Sequence, residues 1–154
     1  MTEEKEWVNW QNARIVQKVA IVDEENNILI LKRVKTGPAH RPGKEDLPGG
    51  NMGPEDLIDG TKPHIEAIKR EAKEETGLDI TGLEIAFVDS WVSIKSIGRI
   101  LNLAIGYKAV VKGIKPVVTL SDEHTDFKWV TREEALNADF GDDRGLHKSI
   151  LQRI

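Results

Sequence analysis

The 154-residue sequence contains no cysteine. This absence excludes disulfides, thiol catalysis, thiolate-bound zinc and iron–sulfur clusters. It is compatible with a reducing compartment, and we expect a cytoplasmic protein. The sequence also has no apolar run near the roughly 20 residues that a membrane-spanning helix needs, so we expect no membrane partner. The acidic N-terminus has no apolar core behind it, and we therefore expect no secretory signal.

An excess of positive charge is missing too. Lys and Arg number 22 against 26 Asp and Glu, which gives a net charge of −4. Nucleic-acid-binding domains are usually basic, so nucleic acid is disfavoured as a partner. An acidic protein that binds a phosphorylated small molecule must supply cations locally, through a metal ion or a few placed Lys and Arg side chains. The length and the 39% hydrophobic content suit one globular domain. We place this domain at residues 13–154, after an N-terminal segment at residues 1–12.

Runs of β-branched and apolar residues predict five strands. They cover residues 13–22, 28–34, 83–92, 99–111 and 127–130. Because a polar cluster at 23–27 separates the first two strands, we expect them to form a hairpin. Glycine and proline residues interrupt the stretch 36–46, which predicts a loop there.

Three helices are predicted between and after these strands. The first covers residues 63–76, with a proline in its first turn and Gly77 as its stop. Thr131 and Glu134 form a capping-box pattern, which predicts the start of a second helix. An amphipathic pattern predicts the third at 143–153. This order of elements predicts an α+β domain or a layered α/β/α domain with a mixed sheet.

The first predicted helix carries a cluster of acidic residues. Glu71, Glu74 and Glu75 are three or four positions apart, so their carboxylates share one side of the helix. Three convergent carboxylates repel one another unless a cation neutralises them, and they suit a hard cation such as Mg²⁺. The alternative is a solvated helix face on which glutamates pair with neighbouring lysines.

The segment 70–78, Arg-Glu-Ala-Lys-Glu-Glu-Thr-Gly-Leu, together with Leu47-Pro48-Gly49-Gly50 before it, resembles the Nudix box. The usual pattern of that box is G-x5-E-x7-R-E-U-x-E-E-x-G-U, where U is apolar. The predicted elements from about residue 13 to the end also resemble that family. The resemblance implies the α/β class and a Nudix-like α/β/α sandwich with a mixed β-sheet. It also implies a Mg²⁺-dependent hydrolase, with Mn²⁺ as another option, that cleaves a nucleoside diphosphate linked to another moiety.

Two features depart from the usual box. Gly50 and Arg70 are 70 − 50 = 20 positions apart, six more than the 14 of the usual pattern. We therefore expect residues 51–62 to form an irregular excursion before the helix. Lys62 stands eight positions before Arg70, where the box usually has its first Glu. Four nearby acids are candidates to replace that Glu, and the sequence does not choose among Glu55, Asp56, Asp59 and Glu66.

The resemblance implies roles for the residues that match the box. Glu74 and Glu75 are expected to be direct metal ligands, and Glu74 also counts among the catalytic residues. Glu71 is either a third ligand or the catalytic group that orients or deprotonates the attacking water. Arg70, also counted as catalytic, would hold a carboxylate of the cluster through a forked ion pair. Gly50 would offer its backbone carbonyl to the metal.

Two further pairs of residues are candidates for the site. By resemblance, the loop before the last strand often brings an acid or a histidine to the site. Glu123 is therefore a candidate metal ligand and His124 a candidate general base, with an exposed polar loop as the alternative. Arg33 and Arg41 are candidates for binding substrate phosphates, with ordinary surface arginines as the alternative.

Alternatives to a hydrolase remain open at this point. One is a Nudix-fold ligand-binding sensor without turnover, which the lysine at position 62 and the long loop motivate. A relative of isopentenyl-diphosphate isomerase is disfavoured, because that family uses a catalytic cysteine. The substrate class is open, and a homodimer is an option, since dimers are common on this fold.

Trp91 and Trp129 could stack on a base, although packing in the core is commoner for tryptophan. Trp7 and Trp10 could anchor the N-terminal segment to the domain or to another subunit.

Overall fold

A computed structural model describes five stretches of the chain, residues 12–36, 41–57, 62–95, 100–141 and 145–154. The candidate acid Asp59 and the two N-terminal tryptophans, Trp7 and Trp10, lie outside the described residues. No helix in these stretches is long and apolar enough to span a membrane.

The described residues form a mixed α/β domain. Its strands are β1 (Asn12–Val22), β2 (Ile28–Arg33), β3 (Glu45–Asp46), β4 (Ala86–Lys95), β5 (Ile100–Val110) and β6 (His124–Val130). Its helices are a short 3-10 helix (Pro54–Leu57) and the α-helices α1 (Pro63–Thr76), α2 (Arg132–Leu136) and α3 (Leu146–Arg153). The long helix has the predicted bounds, and the irregular excursion expected before it is confirmed for 51–57. The predicted loop at 36–46 contains the two-residue strand β3.

The sheet is mixed, as predicted. Its strand order is β3-β2-β1-β5-β4, and β6 pairs with β2. The central strands β1 and β5 are parallel along their whole length, from Asn12↔Ile100 to Val22↔Val110. The expected hairpin of β1 and β2 is confirmed only beside its turn, where Val22 pairs with Ile28. The main partner of β1 is therefore β5, a strand distant in sequence.

A second backbone segment explains why the hairpin is so short. Val19 donates its N–H to the carbonyl of Pro48, and Gln17 donates to the carbonyl of Gly50, each over 2.9 Å. The segment 48–52 thus occupies the edge of β1 that β2 would otherwise pair with. This arrangement places two consecutive glycines directly beside the central strand.

Helices cover both faces of the sheet, which makes the predicted α/β/α sandwich. On one face, Ile68 of α1 packs in a buried cluster with side chains of β1 and β2. On the other face, Ile150 and Leu151 of α3 pack in a second buried cluster. Trp129 packs beside the first cluster and donates its indole N–H to the carbonyl of Pro116 over 3.2 Å, so it is a structural residue.

The turn between β1 and β2 is built on one buried carboxylate. Asp23 accepts the backbone N–H groups of Glu25 (2.9 Å), Asn27 (2.8 Å) and Lys115 (2.8 Å), and also the side-chain amide of Asn27 (2.9 Å). Burial opposes its charged form, but these hydrogen bonds together hold the pKa of Asp23 below its ordinary value. The turn and the segment after β5 are therefore joined through an ionised side chain, in addition to the backbone hydrogen bond from Glu24 to Gly113.

We expect Asp23→Ala to lower the free energy of unfolding at pH 7 by about 1–3 kcal/mol, because it leaves several partly buried N–H donors without an acceptor. The native-state pKa of Asp23 is lowered, so its contribution is present above about pH 3.9 and is lost as the pH falls below that value. Urea unfolding of both proteins at pH 7 and near pH 3 measures this. The control is Glu24→Ala, a change at the exposed neighbour. Equal losses for the two variants would contradict the prediction.

Candidate active site

A cavity of about 780 Å³ opens on the face of the sheet that carries α3. Its lining combines side chains from β1, β4 and β5 with the glycines beside β1, two glutamates of α1 and the first residues of α3. Cavities that bind small molecules are typically about 300–1,000 Å³ in volume, so this one has the size of a ligand site.

The two consecutive glycines allow the carboxylates of α1 to approach the backbone. Gly49 has a φ of +137°, and a Cβ there would lie 2.1 Å from the carbonyl oxygen of Gln17. A Cβ on Gly50 would lie 3.0 Å from the carboxylate of Glu71. The N–H of Gly49 donates to Oε2 of Glu75 over 2.8 Å. Side chains at these positions would thus displace β1 or the carboxylates.

Two of the carboxylates face the cavity from α1. Glu75 is 4% exposed. Burial raises its pKa to about 8, although Lys18 and the Gly49 N–H act in the opposite direction. Burial also raises the pKa of Glu71, against the attraction of Arg70. Ionised carboxylates in such surroundings are costly unless a cation compensates them, so this wall of the cavity suits a bound cation.

The loop before β6 adds two more side chains beside Glu75. Thr119 donates its N–H to the carbonyl of Thr76 over 2.8 Å, which holds this loop on the C-terminal end of α1. As a result, one ligand atom each from Glu75, Glu123 and His124 lies within 4.8 Å of the others. These two positions therefore meet the α1 carboxylates, as expected from the sequence.

His124 is buried, with 5% of its surface exposed. Neither ring nitrogen has a hydrogen-bond partner among the described residues. Burial lowers its pKa to about 4, so the ring is neutral at pH 7 and keeps a lone pair. A neutral imidazole among carboxylates is a good metal ligand and a weak base. The set of Glu75, Glu123 and His124 therefore fits a divalent cation.

Arg70 forms its forked ion pair with an acid that the sequence did not single out. Its Nε and Nη2 each donate to an Asp56 carboxylate oxygen over 3.0 Å, and the side chain of Asp56 is 4% exposed. Arg70 also contacts Glu71 and Glu74, each at 3.1 Å, whereas Glu55 lies 3.7 Å away. The hydrogen bond from Arg70 lowers the pKa of Asp56. Among the candidates to replace the first Glu of the box, Asp56 on the 3-10 helix is thus the acid that forms the forked pair with Arg70.

Glu66, another candidate to replace the first Glu of the box, makes a different contact. Glu66 is exposed and pairs with Lys69 over 3.2 Å. Lys62 is exposed at the start of α1. The contact between Arg70 and Asp56 depends on the folding back of the inserted loop, so no spacing rule in the sequence indicates it.

Glu74 differs from the other glutamates of the helix. Its side chain is 55% exposed, and it lies outside the cavity lining. Successive residues of an α-helix are rotated by about 100°, so Glu71 and Glu75 lie closer to each other around the helix than either lies to Glu74. Arg70 holds the Glu74 carboxylate at the rim of the site.

The opposite wall of the cavity is cationic and surrounds a buried acid. Asp46 has no exposed surface. It contacts Lys18 at 2.9 Å, Arg33 at 2.8 Å, Arg41 at 3.2 Å and His147 at 2.7 Å. Burial alone would raise the pKa of Asp46, but Lys18, His147 and Arg41 hold it well below its ordinary value.

This cationic wall has a net positive charge. Lys18, Arg33 and Arg41 carry three positive charges against the single charge of Asp46. The Nε of Arg33 is buried with no partner among the described residues. Anionic ligand groups that enter the cavity would meet these cations on one side and the carboxylates on the other.

Most of the expected site residues come together here. The cavity lining includes Gly50, Glu71, Glu75, Glu123, Arg33 and Arg41, with His124 beside Glu75 and with Arg70 and Glu74 next to Glu71. Trp91, which the sequence suggested could stack on a base, also lines the cavity. Most other residues of the lining, among them Lys18 and His147, were not predicted, and neither was Asp46. Lys18 shares one face of a predicted strand with the apolar Val16 and Ala20, which was a usable sign. Nothing in the sequence pattern indicates Asp46 or His147.

Comparisons with known proteins agree with this architecture. The sequence profile of the NUDIX domain matches residues 13–152. Comparison with curated protein sequences gives no match. The fold is similar to that of the MutT protein from Methanosarcina mazei Go1, with a TM-score of 0.70 and 23% identity over 94% of this chain and 95% of that one.

Two further solved structures share the fold. One is a C. elegans Ap4A hydrolase, with a TM-score of 0.67 and 21% identity over 91% of this chain and 93% of that one. The other is the E. coli dihydroneopterin triphosphate pyrophosphohydrolase, with a TM-score of 0.69 and 14% identity over 91% and 93%. Because the NUDIX profile spans nearly all of the domain and the fold agrees, the chain belongs to the Nudix hydrolase superfamily, whose enzymes cleave phosphoric anhydride bonds.

Proposed function

We propose that the protein is a Mg²⁺-dependent pyrophosphohydrolase, also active with Mn²⁺, that cleaves a nucleoside diphosphate linked to another moiety. One observation carries the proposal. On one side of the cavity lie carboxylates and a neutral imidazole, and on the other side lie more cations than are needed to neutralise Asp46. The volume of the cavity is typical of a small-molecule site. The names of the similar structures support it, since an Ap4A hydrolase and a dihydroneopterin triphosphate pyrophosphohydrolase both act on phosphoric anhydrides.

The cation ligands would come from both sides of the cluster. Glu75, Glu123 and His124 would hold divalent metal, with the Gly50 carbonyl as a further oxygen ligand and Glu74 contributing from the rim. The structure leaves room for the Gly50 carbonyl to do so, because its hydrogen bond from Gln17 uses only one of its two lone pairs. When bound, the metal neutralises the diphosphate, polarises its P–O bond and acidifies a water molecule.

The side chains of the protein position the reactants. Arg33 and Arg41 would bind non-bridging phosphate oxygens. Glu71 would orient the attacking water and accept its proton as the water oxygen bonds to phosphorus. The anhydride P–O bond then breaks, and its electron pair leaves with the departing phosphate group. Arg70 is a positioning residue, because it fixes the Glu71 carboxylate while Asp56 fixes its guanidinium.

The second candidate function is a Nudix-fold sensor that binds its ligand without turnover. The lysine at the usual place of the first acid motivated it. Asp56 weakens that motive, because it supplies an acid to Arg70 from another position. The cytoplasmic location and a homodimer remain predictions from the sequence.

A panel of phosphorylated compounds tests the proposed function. We expect the purified protein to hydrolyse at least one nucleoside triphosphate, nucleotide sugar or dinucleoside polyphosphate with Mg²⁺, and to lose that activity in EDTA. Product analysis by ion-exchange chromatography with a phosphate assay measures both. Nucleotide binding without turnover on the whole panel with Mg²⁺ and Mn²⁺ would favour the sensor instead.

Replacing a buried ligand should separate activity from stability. We expect Glu75→Gln to lower kcat by about a hundredfold or more, equivalent to ~2.7 kcal/mol at the transition state. The free energy of unfolding should not fall, because a neutral amide replaces a carboxylate that is costly to bury. For Glu74→Gln, at the exposed rim, the decrease in kcat should be about tenfold smaller than for Glu75→Gln. Steady-state kinetics and urea unfolding of both variants measure this, and a larger loss for Glu74→Gln would contradict the assignment.

The substitute acid can be tested against the residue in the usual position. We expect Asp56→Asn to lower kcat by about 10–100-fold with little change in KM, since partners of ligand residues act by orientation. Asp56→Glu, which keeps the charge, should restore part of the loss. Lys62→Ala is the matched control and should stay within about twofold, as surface substitutions usually do. If Lys62→Ala were as damaging as Asp56→Asn, the interpretation of the box would be wrong.

A further inference from the structure

One end of the cavity has no part in the proposed chemistry. It is lined by residues of β1, β4 and β5, namely Arg14, Val16, Trp91, Asn102 and Ala104. Strand register aligns them in two rows across the sheet. Arg14 is level with Asn102, and Val16 and Trp91 flank Ala104.

The second row forms an apolar floor. Trp91, Ala104 and Val16 lie side by side on β4, β5 and β1. Neighbouring strands are about 4.8 Å apart, so this floor is about 10 Å wide. The small Ala104 leaves depth between the two larger side chains, and an indole offers a planar face on which a ring can stack. The floor therefore suits a flat aromatic ring.

The first row presents hydrogen-bond donors. Arg14 donates its Nε–H to Oδ1 of Asn102 over 3.0 Å, and Asn102 is buried. This contact uses the acceptor of the amide, which leaves the amide NH₂ and the two terminal amino groups of Arg14 as donors. Within the described part of the chain, no carboxylate pairs with Arg14. The edge of the floor is thus rich in donors.

We propose that this end of the cavity is a nucleobase subsite selective for 6-oxopurines such as guanine. A 6-oxopurine presents two adjacent acceptors, O6 and N7, which an arginine fork binds in a bidentate manner. Adenine presents an N6 donor in place of O6, which would face the donors of Arg14 and Asn102. This subsite rests on the proposed function for the phosphate end of the same ligand.

The separation of the two ends fits a nucleotide. Arg14 precedes Lys18 by four residues on β1, about 13 Å at about 3.3 Å per residue. Lys18 contacts Asp46 and the carbonyl of Gly49, beside the carboxylates. That distance leaves room for a sugar between a ring on the apolar floor and phosphates at the cationic wall.

Equilibrium binding tests the subsite independently of turnover. With EDTA present, isothermal titration calorimetry should show that GDP and IDP bind about tenfold or more tightly than ADP and 7-deaza-GDP, which lacks the N7 acceptor. Arg14→Gln should abolish this preference, whereas Lys32→Gln, at an exposed position of β2, should keep it. Trp91→Leu should lower the affinity for all four ligands by about tenfold and preserve the ratio of GDP to ADP affinity, because stacking is tolerant of base identity.

The outcomes separate this inference from the proposed function. The subsite would be overturned if the wild type bound GDP and ADP with equal affinity. It would also be overturned if Arg14→Gln lowered the affinities for GDP and ADP equally, which would make Arg14 a phosphate contact. Activity on the substrate panel would leave the hydrolase proposal intact in that case. A tenfold preference for GDP without any turnover would support the subsite and remove the hydrolase proposal.

Discussion

The site depends on the compensation of one buried charge. Asp46 has no exposed surface, and without its cationic partners an ionised carboxylate in the interior would cost several kcal/mol. Its partners come from four different parts of the fold: Lys18 from β1, Arg33 from β2, Arg41 from the loop before β3 and His147 from α3. Their convergence on one carboxylate therefore sets the relative positions of these elements and so shapes the cavity between them.

The two charged walls are also connected through hydrogen bonds to one glycine. Lys18 donates to the carbonyl of Gly49 over 3.2 Å, and the N–H of Gly49 donates to Glu75 over 2.8 Å. A single peptide segment thus spaces the cationic wall from the carboxylates. Charges held in this way before a ligand arrives need no rearrangement during the reaction, which is the main source of electrostatic catalysis in enzymes.

The sequence was informative where the decisive interactions are local. The bounds of α1 follow from a proline at its start and Gly77 at its end, and the carboxylate cluster follows from helical spacing. It was uninformative where contacts are distant. The segment 48–52 took the place of β2 along most of one edge of β1, and Asp56 became the partner of Arg70 only because the inserted loop folds back. The neutrality of His124 likewise depends on burial, which no motif encodes.

The parallel pairing of β1 with β5 has a consequence for biosynthesis. Partners such as Arg14 and Asn102 are 88 positions apart. At about 5–20 residues per second, the ribosome needs roughly 4 to 18 s to deliver the second strand after the first. During that interval the edge of β1 that faces β5 has no partner, and an unpaired apolar strand is a template for aggregation. Chaperone capture of the nascent chain would therefore act on β1, and the cavity forms only when most of the chain has been made.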